Sequence, residues 1–147
     1  MKIALASDHG GFEYKRMLIP FIEQMGHTII DFGCYDDSAV DYSDFGFIAG
    51  EAVAKGECDR GIVICGTGIG MSIAANKVRT IRCALCTDPL MARLTREHND
   101  TNMLALGGRI IGAELAKEIV RVWLSTQFSG EQRHARRIDK LSNYENK

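Results

Sequence analysis

The sequence predicts an α/β protein: a three-layer α/β/α sandwich around a five-stranded parallel sheet, Rossmann-like, with a short C-terminal helix added. Three observations lead there. Short apolar runs alternate with longer stretches of helical period, five times over. Glycine, aspartate or asparagine stands at most of the joins. Several runs are apolar at consecutive positions, as strands covered on both faces should be. At 147 residues the chain has the length of one domain. Residues 1–147 are therefore expected to form a single unit, with no internal repeat and no interdomain linker.

The first strand is expected at residues 3–6, ahead of an amphipathic helix over 12–25. Pro20 falls inside that helix, where its missing N–H and its ring predict a bend or a restart. A strand at 28–32 and a helix at 45–54 follow, then a strand at 61–65 and a helix at 71–77. The pattern repeats with a strand at 82–86, a helix at 90–97, a strand at 103–106 and a helix at 113–126. Strand and helix in alternation imply right-handed crossovers and hence parallel strands. After a break at Gly130, a polar and basic helix over 133–142 suits a segment laid across a surface or a partner.

Composition removes several classes of function. With 46% hydrophobic and 25% charged residues, the chain can bury a core and is not disordered. Eighteen Lys and Arg against 19 Asp and Glu leave a formal charge of −1, which excludes the broad basic surface of a non-specific nucleic-acid binder. No run approaches the roughly 18 apolar residues of a membrane span. Asp8, His9, Gly10 and Gly11 interrupt the apolar start too early for a secretory signal, so a cytoplasmic address is expected. Five cysteines, an odd number, then favour free thiols. Cys83 and Cys86 form a C-x-x-C, but within a strand they point to opposite faces and cannot chelate a metal together.

Open parallel sheets bind ligands beyond the carboxyl ends of their strands, and the chemistry of this chain collects there. The third strand ends in Cys65 and turns through Gly66-Thr67-Gly68-Ile69-Gly70 into a helix. Such a loop aims successive N–H groups at one point and suits an oxyanion or a phosphate. It also suits a plain strand-to-helix turn, and spacing alone leaves the two readings even. It is not a dinucleotide fingerprint, because Met71 replaces the third glycine, nor a P-loop, because no Lys-Ser/Thr follows. Cys65 at its mouth is either a base or nucleophile favoured as thiolate, or a small buried hydrophobe.

Asp8 and His9 end the first strand and could face the same cleft, although Asp8 would also serve as a helix cap. His98 closes the fourth helix, either as a proton-transferring imidazole or as a partner of the helix dipole. In Arg133-His134-Ala135-Arg136-Arg137, helical spacing puts Arg133 and Arg137 one turn apart, able to grip one phosphate or merely to form a solvated basic face.

Ser7-Asp8-His9-Gly10-Gly11-Phe12, Asp41-Tyr42, the run from Ile64 through Gly66-Thr67-Gly68-Ile69-Gly70 to Lys77, Arg96-Glu97-His98-Asn99-Asp100 and Arg133-His134 occur together and in order. Across nearly the whole chain they resemble ribose-5-phosphate isomerase type B, a family grouped with galactose-6-phosphate isomerase subunits. The resemblance implies interconversion of D-ribose 5-phosphate and D-ribulose 5-phosphate with no metal or organic cofactor. It implies that Cys65 moves a proton between C1 and C2 and that His98 helps open the sugar ring. Thr67 and the backbone of Gly66, Gly68, Ile69 and Gly70 would hold the enediolate. Asp8, His9, Tyr42 and Asn99 would contact the sugar, and Arg109, Arg133 and Arg137 the phosphate, with His134 near them.

The family forms homodimers, sometimes homotetramers, with sites between subunits, so His98, Asn99 and Arg109 are candidates for donation by a neighbouring chain. Two positions depart from the pattern. Ser43 stands where proline is frequent, and Glu131-Gln132 where glycine-rich sequence is expected. The alternatives are an isomerase of a six-carbon sugar phosphate (allose or galactose 6-phosphate), a non-catalytic sugar-phosphate or nucleotide-binding module, and a thiol redox protein. The retained histidine at position 98 argues against a galactose-6-phosphate isomerase subunit, since those relatives usually lack it.

Overall fold

Strand and helix alternate along the whole chain in a computed structural model that describes residues 1–147. The strands are β1 (Lys2–Ser7), β2 (Thr28–Asp31), β3 (Arg60–Cys65), β4 (Cys83–Leu85) and β5 (Met103–Gly107). The helices are α1 (Phe12–Gln24), α2 (Tyr42–Ala54), α3 (Ile69–Ala75), α4 (Pro89–Asn99), α5 (Ala113–Ser125) and α6 (Gln132–Glu145). The strands form one parallel sheet in the order β2-β1-β3-β5-β4. The sequence reading placed every element and missed only boundaries. No helix is long and apolar enough to cross a membrane.

The consecutive apolar residues divide by size between the two faces. Ile3, Leu5, Ile62, Ile64, Leu104 and Leu106 point to one side and pack under α1, α4 and α5, with Trp123 fully buried among them. Ala4, Ala6, Val63, Cys65, Met103 and Ala105 point to the other, under α2 and α3. Small strand residues let the alanine-rich α2 and the short α3 approach closely, because side-chain volume sets the distance between layers. Cys83 lies beside the second core and Cys86 within the first, so the C-x-x-C does straddle the sheet. All five cysteines are free.

Pro20 does not end the helix: α1 runs through it without interruption, so the expected restart does not occur. Both Pro20 and Arg16, whose carbonyl loses its i+4 donor, are exposed, so water can serve that carbonyl and the ring meets no neighbouring element. At the edge of the sheet, the Asn76 side chain stands in for a missing strand. Its amide donates to the Cys83 carbonyl at 2.9 Å and its oxygen accepts the Cys83 N–H at 2.9 Å, closing an otherwise open edge.

Candidate functional site

The order of the strands fixes where a ligand can sit. From β1 the chain crosses to β2 on one side, whereas from β3 it crosses to β4 on the other, so the loops after β1 and β3 diverge and leave a crevice. Three loops meet there. The Asp8 amide donates to the Ile64 carbonyl at 3.1 Å, and the Gly108 and Arg109 amides donate to the carbonyls of Cys65 and Gly66 at 2.8 and 2.9 Å. The approach is tight enough that a Cβ on Gly107 would lie 2.6 Å from the Thr67 carbonyl oxygen.

Cys65 is 5% exposed, and its sulfur turns into the glycine loop rather than into hydrocarbon alone: the Gly68 amide donates to it at 3.0 Å. Gly68 has φ +79°, and its ideal Cβ would lie 2.5 Å from Leu85. Only glycine allows the chain to turn there. The Ile69 amide donates to Thr67 Oγ1 at 3.3 Å. The next two amides, of Gly70 and Met71, open α3 and have no acceptor in the chain, as the first turn of a helix requires. The sulfur therefore rests on one amide of a loop that goes on to present two free ones.

The remaining residues of this half come from three elements. The Asp8 carboxylate, buried, accepts the Gly11 amide at 3.0 Å. Gly11 itself is the N-cap of α1, so Asp8 braces the loop rather than occupying the cap position. Tyr42, exposed at the start of α2, lays its ring against Gly70. Arg109 runs along Gly66 of its own chain, its Cδ 3.4 Å from where a Cβ would stand. Its reach to the cradle thus needs no neighbouring copy. His9 lines a cavity of about 590 Å³ with Ala39, Val40, Asp41, Asp44 and Phe45. Cys65 is not among the residues lining that cavity, which opens beside the loop. The Val40 amide donates to His9 Nδ1 at 3.3 Å, so a neutral His9 carries its proton on Nε2.

Two parts of this arrangement escaped the sequence reading. One is the Val40 amide, a backbone group that no motif announces. The other is Lys15, 1% exposed, whose ammonium donates to Asp31 and to the Cys34 carbonyl, each at 2.5 Å. It anchors the start of the loop that runs on to Val40. Its signal was available: Lys15 lies three residues after Phe12 and three before Leu18, on the apolar stripe of α1.

His98, Asn99, Arg133, His134 and Arg137 form a second group elsewhere. His98 and Asn99 end α4, whose chain re-enters the sheet at Met103. Met103 pairs with Gly61, whereas Cys65 pairs with Gly107, four residues of strand further on, or about 13 Å. The two groups thus lie towards opposite ends of the strands. Within the second group, the His98 and His134 rings stack at 4.3 Å with planes 14° apart. Arg133 and Arg137 are exposed on the first turns of α6, and Arg133 is paired with Glu131 at 2.7 Å. Asn99 borders a separate cavity of about 440 Å³ between β4, α4 and α6.

Burial pushes the Cys86 thiol up to about 12, and burial also raises the Cys83 and Cys58 thiols above the ordinary thiol range. Cys65 shares the apolar core of Cys58, but its sulfur also accepts a backbone amide.

A doubly wound sheet with a sulfur and free amides at its switch point is an α/β protein whose crevice suits a small anionic ligand. Comparison with known proteins gives the family. The model of the Ribose/Galactose Isomerase family matches residues 3–141. A Bacillus subtilis protein provisionally named as a sugar phosphate isomerase is 54% identical, over 100% of this chain and 99% of its own. Ribose-5-phosphate isomerase B of Escherichia coli is 45% identical over 96% of this chain and 94% of its own. The structure of Clostridium thermocellum ribose-5-phosphate isomerase B superposes with a TM-score of 0.97 at 55% identity, covering 99% and 98% of the two chains. The chain belongs to the ribose/galactose isomerase family and is an isomerase.

Proposed function

We propose that this isomerase interconverts D-ribose 5-phosphate and D-ribulose 5-phosphate through an enediolate, in sites built jointly by two copies of the chain. The observation that carries the reading is the Cys65 sulfur held on the Gly68 amide, in a loop whose next turn presents the free amides of Gly70 and Met71. In the open-chain aldose, the Cys65 thiolate takes the proton from C2, and the electron pair left behind forms the C1–C2 double bond while O1 gains charge. The loop amides and Thr67 stabilise that oxygen as its charge develops. The O2 hydroxyl proton then passes to O1, and return of the proton from Cys65 to C1, as the electron pair on O2 forms the carbonyl, completes the ketose.

The cyclic form must open first. His98 of a second copy moves the proton from the O1 hydroxyl to the ring oxygen as the bond from C1 to that oxygen breaks. The opposite placement of Cys65 and His98 in one chain supports a shared site, as does the match to the family. Asp8, His9, Tyr42 and Asn99 hold the hydroxyls, with His9 donating from Nε2. Arg109, Arg133 and Arg137 take the phosphate, whose binding energy orients carbons that it does not touch.

The test is an isomerase assay comparing ribose 5-phosphate with allose 6-phosphate and galactose 6-phosphate. Ribose 5-phosphate should be preferred, and Cys65→Ala should lower kcat by about a thousandfold or more. Full turnover in Cys65→Ala would remove the proposed base. A preference for either six-carbon substrate would move the chain to the other branch of its family.

A further inference from the structure

Two contacts tie the last turn of α4 to α6 and the segment that leads into it. The His98 and His134 rings stack, and the Ser129 amide donates to the Glu97 carbonyl at 3.1 Å. His134 is 4% exposed, and its Nε2 has no hydrogen-bond partner. A buried imidazole that spends no nitrogen on a bond from Nε2 does its work through its face. That face lies on the residue to which ring opening was assigned above, and the inference rests on that assignment.

We propose that His134 is a positioning residue for His98: its aromatic face fixes the plane of the His98 imidazole and supports the proton that His98 carries during ring opening. The surroundings keep His134 suited to this. On α6, Arg133 and Arg137 flank it, with Glu131 occupied by Arg133; on α4, Glu97 is paired with Arg93 at 3.6 Å. Burial first, then the charges of His98 and Arg133, hold the His134 basicity below that of an ordinary histidine. A neutral ring stacked on His98 attracts a cation there and does not compete for its proton.

The experiment uses His134→Phe and His134→Leu in the full chain, with His98→Asn and Cys65→Ala as references. Phenylalanine keeps a flat aromatic face; leucine fills space without one. Two readouts separate the steps. Turnover of ribose 5-phosphate requires ring opening. Solvent deuterium exchange at C1 of ribulose 5-phosphate does not, because phosphate on O5 leaves that ketose without a hydroxyl to close a five-membered ring. His134→Leu should lower kcat for ribose 5-phosphate roughly ten- to a hundredfold, with KM and deuterium exchange near wild type. His134→Phe should recover kcat to within about threefold and keep the wild-type pH profile.

The proposal is overturned if leucine serves as well as phenylalanine, since the ring would then be filler. It is overturned if phenylalanine is as slow as leucine, since a nitrogen would then be acting, or if KM rises while kcat holds, since His134 would then bind the phosphate. Failure of the underlying assignment looks different: His98→Asn would keep full turnover of ribose 5-phosphate, or Cys65→Ala would keep deuterium exchange.

Discussion

If Cys65 and His98 act together, they do so from different chains, and that makes a quantitative complementation test possible. His98 lies at the end of α4, just before the chain enters β5 where Met103 pairs with Gly61, whereas Cys65 lies where β3 ends. The separation of about 13 Å along β3 exceeds what an imidazole can span, and the two residues also lie on different faces of the sheet. Cys65→Ala and His98→Asn chains should each be nearly inactive alone. When equal amounts are unfolded together and refolded, about half of the dimers are mixed. A mixed dimer holds one site with both defects and one with neither. The refolded mixture should therefore reach about a quarter of the wild-type kcat, and mixed dimers isolated through two affinity tags about half. Initial rates at saturating ribose 5-phosphate measure both values. A mixture no faster than the average of its parents would refute the shared site, because defects within one chain leave no intact combination to form.

Two other expectations concern groups away from the loop. Arg60 donates to the carbonyls of Trp123 and Leu124 at 3.0 and 3.2 Å, closing the end of α5, and its guanidinium lies over the Trp123 ring. Burial, then the charge of Arg96, lowers its pKa to about 10, so it stays charged at neutral pH. Arg60→Ala strips those carbonyls of their donor and should cost about 2–4 kcal/mol. Thermal melting followed by circular dichroism should then show a Tm lower by roughly 6–12 °C, and an unchanged Tm would mean that the cap contributes nothing. For Cys86, the native thiol ionises near 12 and the unfolded one near 9. Stability from this group is complete below pH 9 and falls as pH rises from about 9 to about 12, because only the unfolded chain releases the proton. At pH 8 the native thiolate is about a thousandfold scarcer, so iodoacetamide should modify Cys86 slowly until denaturant is added, as peptide mass analysis can follow.

What the sequence made legible depended on whether the relevant physics is local. Consecutive apolar runs and glycine-bearing joins are set within a few residues, so all five strands and six helices were found. The division of those runs into a face of isoleucine and leucine and a face of alanine was also present, at alternate positions such as Ile3, Leu5 against Ala4, Ala6. Pro20 was misjudged because the outcome depends on exposure: with Arg16 and Pro20 both facing solvent, the lost bond is replaced by water. Lys15 and the Val40 amide were missed because their partners lie 16 to 31 residues away, and no spacing rule reports such pairs.

The site itself follows from a longer chain of reasoning. A helix that returns between parallel strands runs against them, so whatever ends a strand and whatever ends a helix sit at opposite edges of the sheet. Cys65 ends a strand and His98 ends a helix. If both act on one substrate, as proposed, the element pattern already requires a second copy. Arg109 obeys the same rule from the other side. It follows the end of β5, the neighbour of β3, and lies on Gly66 of its own chain. Residues placed after strands reach the cradle within one chain, and under the proposed shared site those at the ends of helices reach it from the second copy.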